Sequence, residues 1–157
     1  MCLQYLRNIE FYSGEEEKRM QNVEFRAWEK EEKKMYHNVG IIGTLIILEH
    51  EQKGYDFCEV DLTLYDQLDD KYDLMQYTGL KDKNGKKIFG GDILKDLDEL
   101  PFYVEYSEKL GAFCFVDKFD SYGETKYTTK DLHWEDLEVV GNIYENPELL
   151  EIENLIK

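Results

Sequence analysis

The residue types that most often do chemistry in proteins are present in this chain, but their spacing favours no reaction. The histidines, His37, His50 and His133, are far apart in sequence, and none has a partner at the spacing of metal ligands. Nucleophile elbows, phosphate-binding glycine loops and His-Glu-x-x-His motifs are all missing from the sequence. We therefore predict no catalytic residues, no cofactor and no metal, and we expect that the protein is not an enzyme.

An aspartate cluster is the one feature that could hold a cation. If the segment were helical, its three- and four-residue spacing would place the carboxylates on one side. A solvated acidic face is the simpler interpretation, so metal binding stays open at this point. The cluster consists of Asp66, Asp69, Asp70 and Asp73.

The pair Asn84-Gly85 is the strongest turn signal in the chain. Both central residues of a type I′ turn need a positive φ, and Asn followed by Gly adopts that conformation at least cost. A calcium-binding loop around Gly85 is excluded, because its first and last positions lack the required carboxylates. We predict a hairpin over residues 74–94 with Asn84-Gly85 at its tip, leading through Gly90-Gly91 into a strand of a small barrel that begins at Asp92.

The remaining pattern is that of a β protein. Short stretches of alternating or β-branched apolar residues recur between turn signals, which is typical of a small barrel or sandwich. Residues 40–48 are predicted to form one buried strand. Near the C-terminus, Asn146 is a candidate N-cap and Pro147 suits the first helical position, so we expect a terminal helix of about two turns.

A candidate interaction surface lies near the start of this β region. Alternation over residues 23–28 places Phe25 and Ala27 on one face of a strand and Arg26 and Trp28 on the other. An exposed aromatic beside an arginine is typical of protein interfaces. We therefore predict that Arg26 and Trp28 form an exposed protein-binding patch.

Charge and composition limit the classes of partner. The 157 residues include 35 acidic and 19 basic side chains, a net charge of −16, which argues against direct binding to nucleic acid or to anionic membranes. The longest apolar run is too short to span a bilayer, no signal peptide is evident, and the three cysteines form no Cys-x-x-Cys pair. These observations predict a cytoplasmic protein with reduced cysteines.

The first 19 residues differ from the rest. They end in a charge run with little to bury, and its codons would be purine-rich like a ribosome-binding sequence placed just before Met20. Two interpretations stay open: Met20 is the natural start, or residues 1–19 are a genuine extension. Residues 20–157 are predicted to form one structural unit.

Three stretches together resemble the YopX family of phage and prophage proteins from Gram-positive bacteria, in order and across residues 20–151. Members of that family typically begin near the equivalent of Met20, and Glu is common where this chain has Gly90. The resemblance is carried by residues 23–36, 74–94 and 139–150, which include Val23-Glu24-Phe25-Arg26-Ala27-Trp28, Thr78-Gly79-Leu80-Lys81-Asp82-Lys83-Asn84-Gly85 and Gly141-Asn142-Ile143-Tyr144-Glu145-Asn146-Pro147-Glu148.

The resemblance implies a mainly β fold with an SH3-like barrel. Together with the residue patterns, it predicts a mainly β (β-rich α+β) fold: a small SH3-like barrel with an N-terminal β-hairpin region and a short C-terminal helix. It supplies no catalytic residues, and its shared residues suit structural roles: Asn84, Gly85, Gly91, Asp92, Asn146 and Pro147. Together with the missing motifs, it predicts a non-enzymatic phage accessory protein in the bacterial cytoplasm that binds a protein partner or itself. The alternative is an acidic DNA-mimic decoy that blocks a host DNA-binding protein, since residues 51–157 hold 26 of the acidic and 12 of the basic side chains.

Overall fold

The computed structural model describes residues 22–53, 59–97 and 100–151, and within them the chain forms two antiparallel β-sheets. The first sheet has six strands in the order β4-β3-β2-β1-β5-β6, and the second has five in the order β10-β9-β8-β7-β11. The fold is therefore mainly β, as the sequence predicts. Strands of the first sheet are β1 (Phe25–Glu29), β2 (Lys34–Ile42), β3 (Leu45–Lys53), β4 (Glu59–Gln67), β5 (Tyr72–Lys81) and β6 (Lys87–Phe89). Those of the second are β7 (Asp92–Lys95), β8 (Phe102–Ser107), β9 (Ala112–Asp117), β10 (Thr125–Tyr127) and β11 (Glu138–Asn142).

The first three strands form two successive hairpins. Pairing of β1 with β2 confirms the N-terminal hairpin region. The single strand predicted over residues 40–48 is wrong, because Gly43-Thr44 forms a two-residue turn between β2 and β3. Gly43 has a φ of +60°, which a glycine at the first central position of such a turn adopts without steric cost. The β-branched residues on both sides concealed this turn in the sequence pattern.

The hairpin of β5 and β6 has Asn84-Gly85 in its loop, as predicted, but the turn type differs. Only Gly85 has a positive φ, +79°, so the expected type I′ turn is wrong. The loop is one residue longer: Gly85 N–H donates to Asp82 O at 2.9 Å, and Asp82 N–H donates to Lys86 O at 2.9 Å. The Asp82 carboxylate selects this turn by accepting the N–H groups of Asn84 and Lys86 at 2.9 and 2.8 Å.

Two finer expectations about the architecture are not confirmed. Within the described residues neither sheet closes on itself, since the outer strands are β4 and β6 in one and β10 and β11 in the other, so no SH3-like barrel is seen. The terminal segment forms one 3₁₀ turn, Pro147–Leu150, before the chain extends at Glu151, and the predicted two-turn helix is not found there. Asn146 precedes that turn without capping it, because its side chain turns back towards β11 instead.

Three apolar clusters hold the sheets. One lies within the first sheet, a second lies within the second sheet and takes in Ile88 from β6, and the third lies where the sheets meet. The third cluster consists of Met75, Tyr77 and Phe89, with Trp28, Met35 and Tyr144 packed against it. Residues from β1, β2, β5 and β6 thus meet the segment after β11 at this junction.

Asp82 also links the two sheets. Its second carboxylate oxygen accepts the N–H of Val139 in β11 at 3.0 Å, and Lys83 N–H donates to Leu137 O at 3.0 Å. Burial acts to raise the pKa of Asp82, but its three backbone N–H donors outweigh burial and hold that pKa below the ordinary value. The carboxylate is therefore most strongly held in its ionised form.

Replacing this carboxylate should weaken the fold measurably. Because Asp82→Ala leaves the buried Val139 N–H without its acceptor, we expect a loss of about 3 kcal/mol in the free energy of unfolding at pH 7, measured by urea denaturation. Asp96→Ala removes only one exposed backbone contact, to Leu97, and should cost below about 1 kcal/mol.

The lowered pKa of Asp82 makes its contribution to stability depend on pH. This contribution is fully present above the pKa of about 4 that the carboxyl has in the unfolded chain, and it is lost as the pH falls through the lower pKa of the folded chain. The gap between the parent chain and Asp82→Ala should therefore shrink below about pH 4. A gap that stays constant down to pH 2 would contradict this role.

Candidate functional site

The connection between β6 and β7 carries the chain from one sheet to the other. Gly90 N–H donates to Gln76 O in β5 at 2.9 Å, and Gly91 N–H donates to Val104 O in β8 at 2.7 Å. The carbonyl of Gly91 accepts the N–H of Ile143 at 2.9 Å. Gly91 has a φ of +87°, which a side chain would strain, so the glycine predicted at this entry has a conformational role.

A buried ion pair crosses the same junction. Arg26 Nη2 on β1 donates to Asp92 Oδ1 on β7 at 2.5 Å, and the guanidinium lies over the Phe89 ring with its carbon 4.3 Å from the ring centroid. The other Asp92 oxygen accepts the N–H of Phe89 at 2.8 Å. Burial raises the pKa of the Asp92 carboxyl, while Arg26 and that N–H oppose the rise. Among the described residues, Arg26 Nε is buried without a hydrogen-bond partner.

The exposed patch predicted from Arg26 and Trp28 is wrong in its geometry. Arg26 is only 8% exposed, because β1 lies inside the six-stranded sheet and both of its faces are covered. Trp28 is half-buried and stacks on Tyr144, with ring centroids 6.0 Å apart and planes inclined by 23°. Both residues therefore build the junction between the sheets rather than a free surface.

Beside this junction lies an open groove of about 410 Å³, which both sheets line. Its walls come from β1, β5, the Gly90-Gly91 connection, β8, β9 and the segment after β11. Most of the lining side chains are apolar or aromatic, and Glu105 is the charged one. The lining residues are Phe25, Leu74, Met75, Gln76, Gly90, Gly91, Val104, Glu105, Tyr106, Phe113, Ile143 and Tyr144.

One aromatic pair gives this groove an accessible wall. Tyr106 on β8 packs edge-on against Phe113 on β9, with ring centroids 5.4 Å apart, and Tyr106 remains 56% exposed. Glu105 is already paired with Lys126 across β9. The groove thus offers apolar and aromatic surface to a ligand, with little unpaired charge in its wall.

The acidic cluster does not form the arrangement that a cation would need. Asp66 is the penultimate residue of β4, Asp69 and Asp70 lie in the turn that follows, and Asp73 lies in β5, so the helical condition for one shared face is not met. Asp66 Oδ2 accepts the Tyr72 hydroxyl at 2.7 Å, and burial together with this bond raises the pKa of Tyr72 to about 12. Within residues 22–53, 59–97 and 100–151 no group of His, Cys, Asp and Glu has metal-binding geometry.

The segment that follows β11 supports one side of the groove through a small hydrogen-bond network. The Asn142 side chain donates to Glu145 at 2.6 Å and accepts the backbone N–H groups of Tyr144 and Glu145 at 3.1 and 2.9 Å. Asn146 Oδ1 accepts the Asn142 N–H at 3.3 Å. Asn142 and Asn146 therefore fix the segment that carries Tyr144, and Pro147 begins the 3₁₀ turn that follows.

Gly141 makes this network possible, and its replacement should disturb it. A Cβ on Gly141 would lie 2.5 Å from Asn146 Oδ1, so Gly141→Ala must displace that side chain. We expect a cost of about 1–3 kcal/mol in thermal or urea unfolding. Gly40→Ala is the matched control, because its new Cβ would meet Ile47 at ordinary contact distance and should change stability by less than about 0.5 kcal/mol. Equal losses of stability from the two substitutions would contradict a special role for Gly141 in this network.

The fold and the groove define a class: antiparallel β proteins of two sheets that meet at one aromatic junction. Within it, the family model described as "YopX protein" matches residues 24–151, so the chain belongs to the YopX protein family. The resemblance seen in the sequence is thereby confirmed. No curated protein matches the chain significantly.

Two solved structures resemble the protein. Protein EF1440 from Enterococcus faecalis is 33% identical, with a TM-score of 0.62 over 84% of this chain and 100% of that one. Protein yopX from Bacillus subtilis is 22% identical, with a TM-score of 0.50 over 84% of this chain and 98% of that one, and this likeness concerns the fold alone. In the part of the chain that the structure describes, no helix is long and apolar enough to cross a membrane.

Sequence reasoning missed most of the groove residues. Met75, Phe113 and Tyr144 come from distant parts of the chain, and aromatic residues in strands are ordinarily assigned to a core. The one available signal was Gly90-Gly91, since adjacent glycines in a strand-rich segment often mark a close approach of backbones. Cys114, expected as a packing residue, is buried and forms no disulfide within the described residues. Cys2, Cys58, Met20 and the start-site question lie outside them.

Proposed function

We propose that this YopX-family protein is a non-enzymatic binding module that holds a segment of another protein in the groove between its sheets. The observation that carries the proposal is the open apolar groove with Tyr106 exposed in its wall. Tyrosines in such positions commonly supply much of the binding energy in protein interfaces. A phage or prophage origin and a place in the bacterial cytoplasm belong to this proposal through the family resemblance.

Charge specifies the partner further. A chain of net charge −16 attracts basic segments over a distance and repels acidic ones, while the groove wall itself offers apolar contact. The partner segment should therefore present an aromatic or aliphatic anchor residue flanked by Lys or Arg. The anchor supplies affinity, and the flanking charges accelerate association.

A selection experiment tests both parts of this chemistry without a known partner. A library of random 12-residue peptides is selected on the immobilised full chain, and the retained peptides are sequenced. We expect enrichment of aromatic or leucine residues next to Lys or Arg. Retention should fall for Tyr106→Ala and persist for Tyr122→Ala, a tyrosine that is 97% exposed in the β9–β10 turn. Equal retention by both variants would refute the groove as the site.

The acidic decoy is less well supported by the geometry. In the part of the chain that the structure describes, eight aspartates accept backbone N–H groups at turns or strand ends, which gives these carboxylates a role in the fold itself. They are Asp66, Asp69, Asp82, Asp92, Asp96, Asp117, Asp120 and Asp131. The salt dependence of binding distinguishes the two functions. The affinity of a decoy for its target should fall steeply between low and physiological ionic strength, whereas the affinity of an aromatic-centred groove for its ligand should change far less.

A further inference from the structure

Strand β4 forms a long outer edge of the part of the first sheet that the structure describes. It is the outermost strand of the first sheet, nine residues long from Glu59 to Gln67, and within the described residues only β3 pairs with it. Natural edge strands are usually short, or carry Lys or Pro that prevent further pairing. This strand contains neither Lys nor Pro, and its charged residues are the three acidic ones, Glu59, Asp61 and Asp66. Within the described residues no second strand pairs with its outer edge, where a further strand could add.

The outer part of this edge belongs to a ribbon of two strands. Pairing between β2 and β3 covers only Leu45–Ile47 of β3, while β3 continues to pair with β4 as far as Lys53. Residues 60–65 are all exposed, among them Leu62 and Tyr65, which is 60% exposed. A two-stranded ribbon is only marginally stable in water, so a third strand would stabilise it substantially.

We propose that a second copy of this chain supplies that strand, by antiparallel pairing of β4 with β4 around a two-fold axis at Thr63. All nine residues pair in this register. Leu62 lies opposite Leu64 of the second copy, and Asp61 lies opposite the uncharged Tyr65. The result is an isologous dimer with a continuous twelve-stranded sheet.

The charges of β4 select this register. A slip of one residue in one direction places Glu59 opposite Asp66, and a slip in the other direction places Asp61 opposite Asp66. Two such like-charge pairs would form in each case, which destabilises an antiparallel ladder. A slip of two residues removes two pairs from the ladder. The full-length register alone combines complete pairing with separated carboxylates.

The irregularity of the ribbon is compatible with this axis. The register between β3 and β4 shifts on both sides of Glu49, which leaves Leu48 and Thr63 as the extra residues. Such bulges bend a strand. Because the two-fold axis passes through Thr63, the bends of both copies coincide and match each other. This interface does not involve the groove, so the proposal stands independently of the proposed function.

Cross-linking tests the register directly. In full-length protein carrying Cys2→Ser and Cys58→Ser, Thr63→Cys places two thiols on the axis, where opposite Cα atoms lie about 4.5–5.5 Å apart. Val60→Cys is the matched control, because its symmetry mates would be offset by about 20 Å along the strands. Under copper–phenanthroline oxidation we expect Thr63→Cys to form covalent dimer at least ten-fold faster. Equal rates for the two variants would overturn the proposed register.

Sedimentation equilibrium tests the association itself. Two chains of net charge −16 repel each other, so the dimer should tighten several-fold between 0.05 and 0.5 M NaCl, opposite to the expectation for a basic partner. Leu62→Lys should weaken the dimer at least ten-fold, whereas Leu110→Lys, at a comparably exposed leucine in the β8–β9 turn, should not. A chain that stays monomeric at 200 μM in high salt would overturn the proposal. Tyr106→Ala should leave the dimer intact and impair only the groove.

Discussion

Asp92→Ala should lower the free energy of unfolding by about 4 kcal/mol and the melting temperature by roughly 8–16 °C. The substitution leaves the Arg26 guanidinium buried without its carboxylate, and it also removes the acceptor of the Phe89 N–H. Breaking a buried ion pair costs far more than breaking an exposed one, because the remaining charge has no solvent. Thermal and urea unfolding of the purified chain measure the effect.

The control for this prediction is an ion pair at the surface. Asp73 pairs with Lys30 at 3.0 Å, and both side chains are substantially exposed, so Asp73→Ala should cost below about 1 kcal/mol. The double variant Arg26→Met with Asp92→Ala should be less destabilised than the sum of its single changes by about 1–3 kcal/mol. If the stability losses of the two single variants simply add in the double variant, Arg26 and Asp92 do not interact, which would contradict the structure.

Tyr106→Ala should weaken the binding of a selected peptide by about 30-fold, which corresponds to about 2 kcal/mol. Removal of the ring takes away one accessible wall of the groove and the edge-on contact with Phe113. The fold should be largely retained, because Tyr106 is more than half exposed. Isothermal titration calorimetry gives the dissociation constants, and circular dichroism gives the melting temperatures.

Tyr122→Ala supplies the matched comparison, since it deletes the same side chain from a turn outside the groove. Its affinity for the peptide should equal that of the parent chain within about two-fold. Loss of affinity in both variants would place the binding energy elsewhere on the molecule. A steep fall in affinity with salt, equal in all three proteins, would show that charge rather than the groove wall supplies the binding energy.

The parts of this fold that the sequence predicts correctly are those that depend on the backbone conformations of neighbouring residues. The Asn84-Gly85 loop lies where the sequence placed it, because a glycine able to adopt positive φ between two strand-forming segments marks a turn whatever surrounds it. The turn type depends on the Asp82 carboxylate, one oxygen of which accepts the N–H groups of Asn84 and Lys86 within the loop. That contact is local, whereas the second oxygen binds Val139, 57 residues further along the chain, and a pattern confined to neighbouring residues carries no trace of that second contact.

The candidate site was less predictable for the same reason. Alternation correctly separated Arg26 from Phe25, but it could not show that the second face of β1 is also covered, since Asp92 lies 66 residues away. Gly40 to Leu48 has the composition of one buried strand, and only the pairing of Ile42 with Leu45 shows a hairpin. Long-range contacts thus decided both the burial of Arg26 and the shape of the groove.

Chemical-shift mapping by NMR with the best selected peptide tests the central claim most directly, because it locates the bound segment on the full chain. We predict the largest backbone amide shifts at Gly91, Val104, Tyr106, Phe113 and Tyr144, which line the groove from both sheets. Saturation of these shifts should follow the calorimetric dissociation constant. Shifts confined to the β3–β4 ribbon, or spread evenly over acidic surface residues, would contradict binding in the groove.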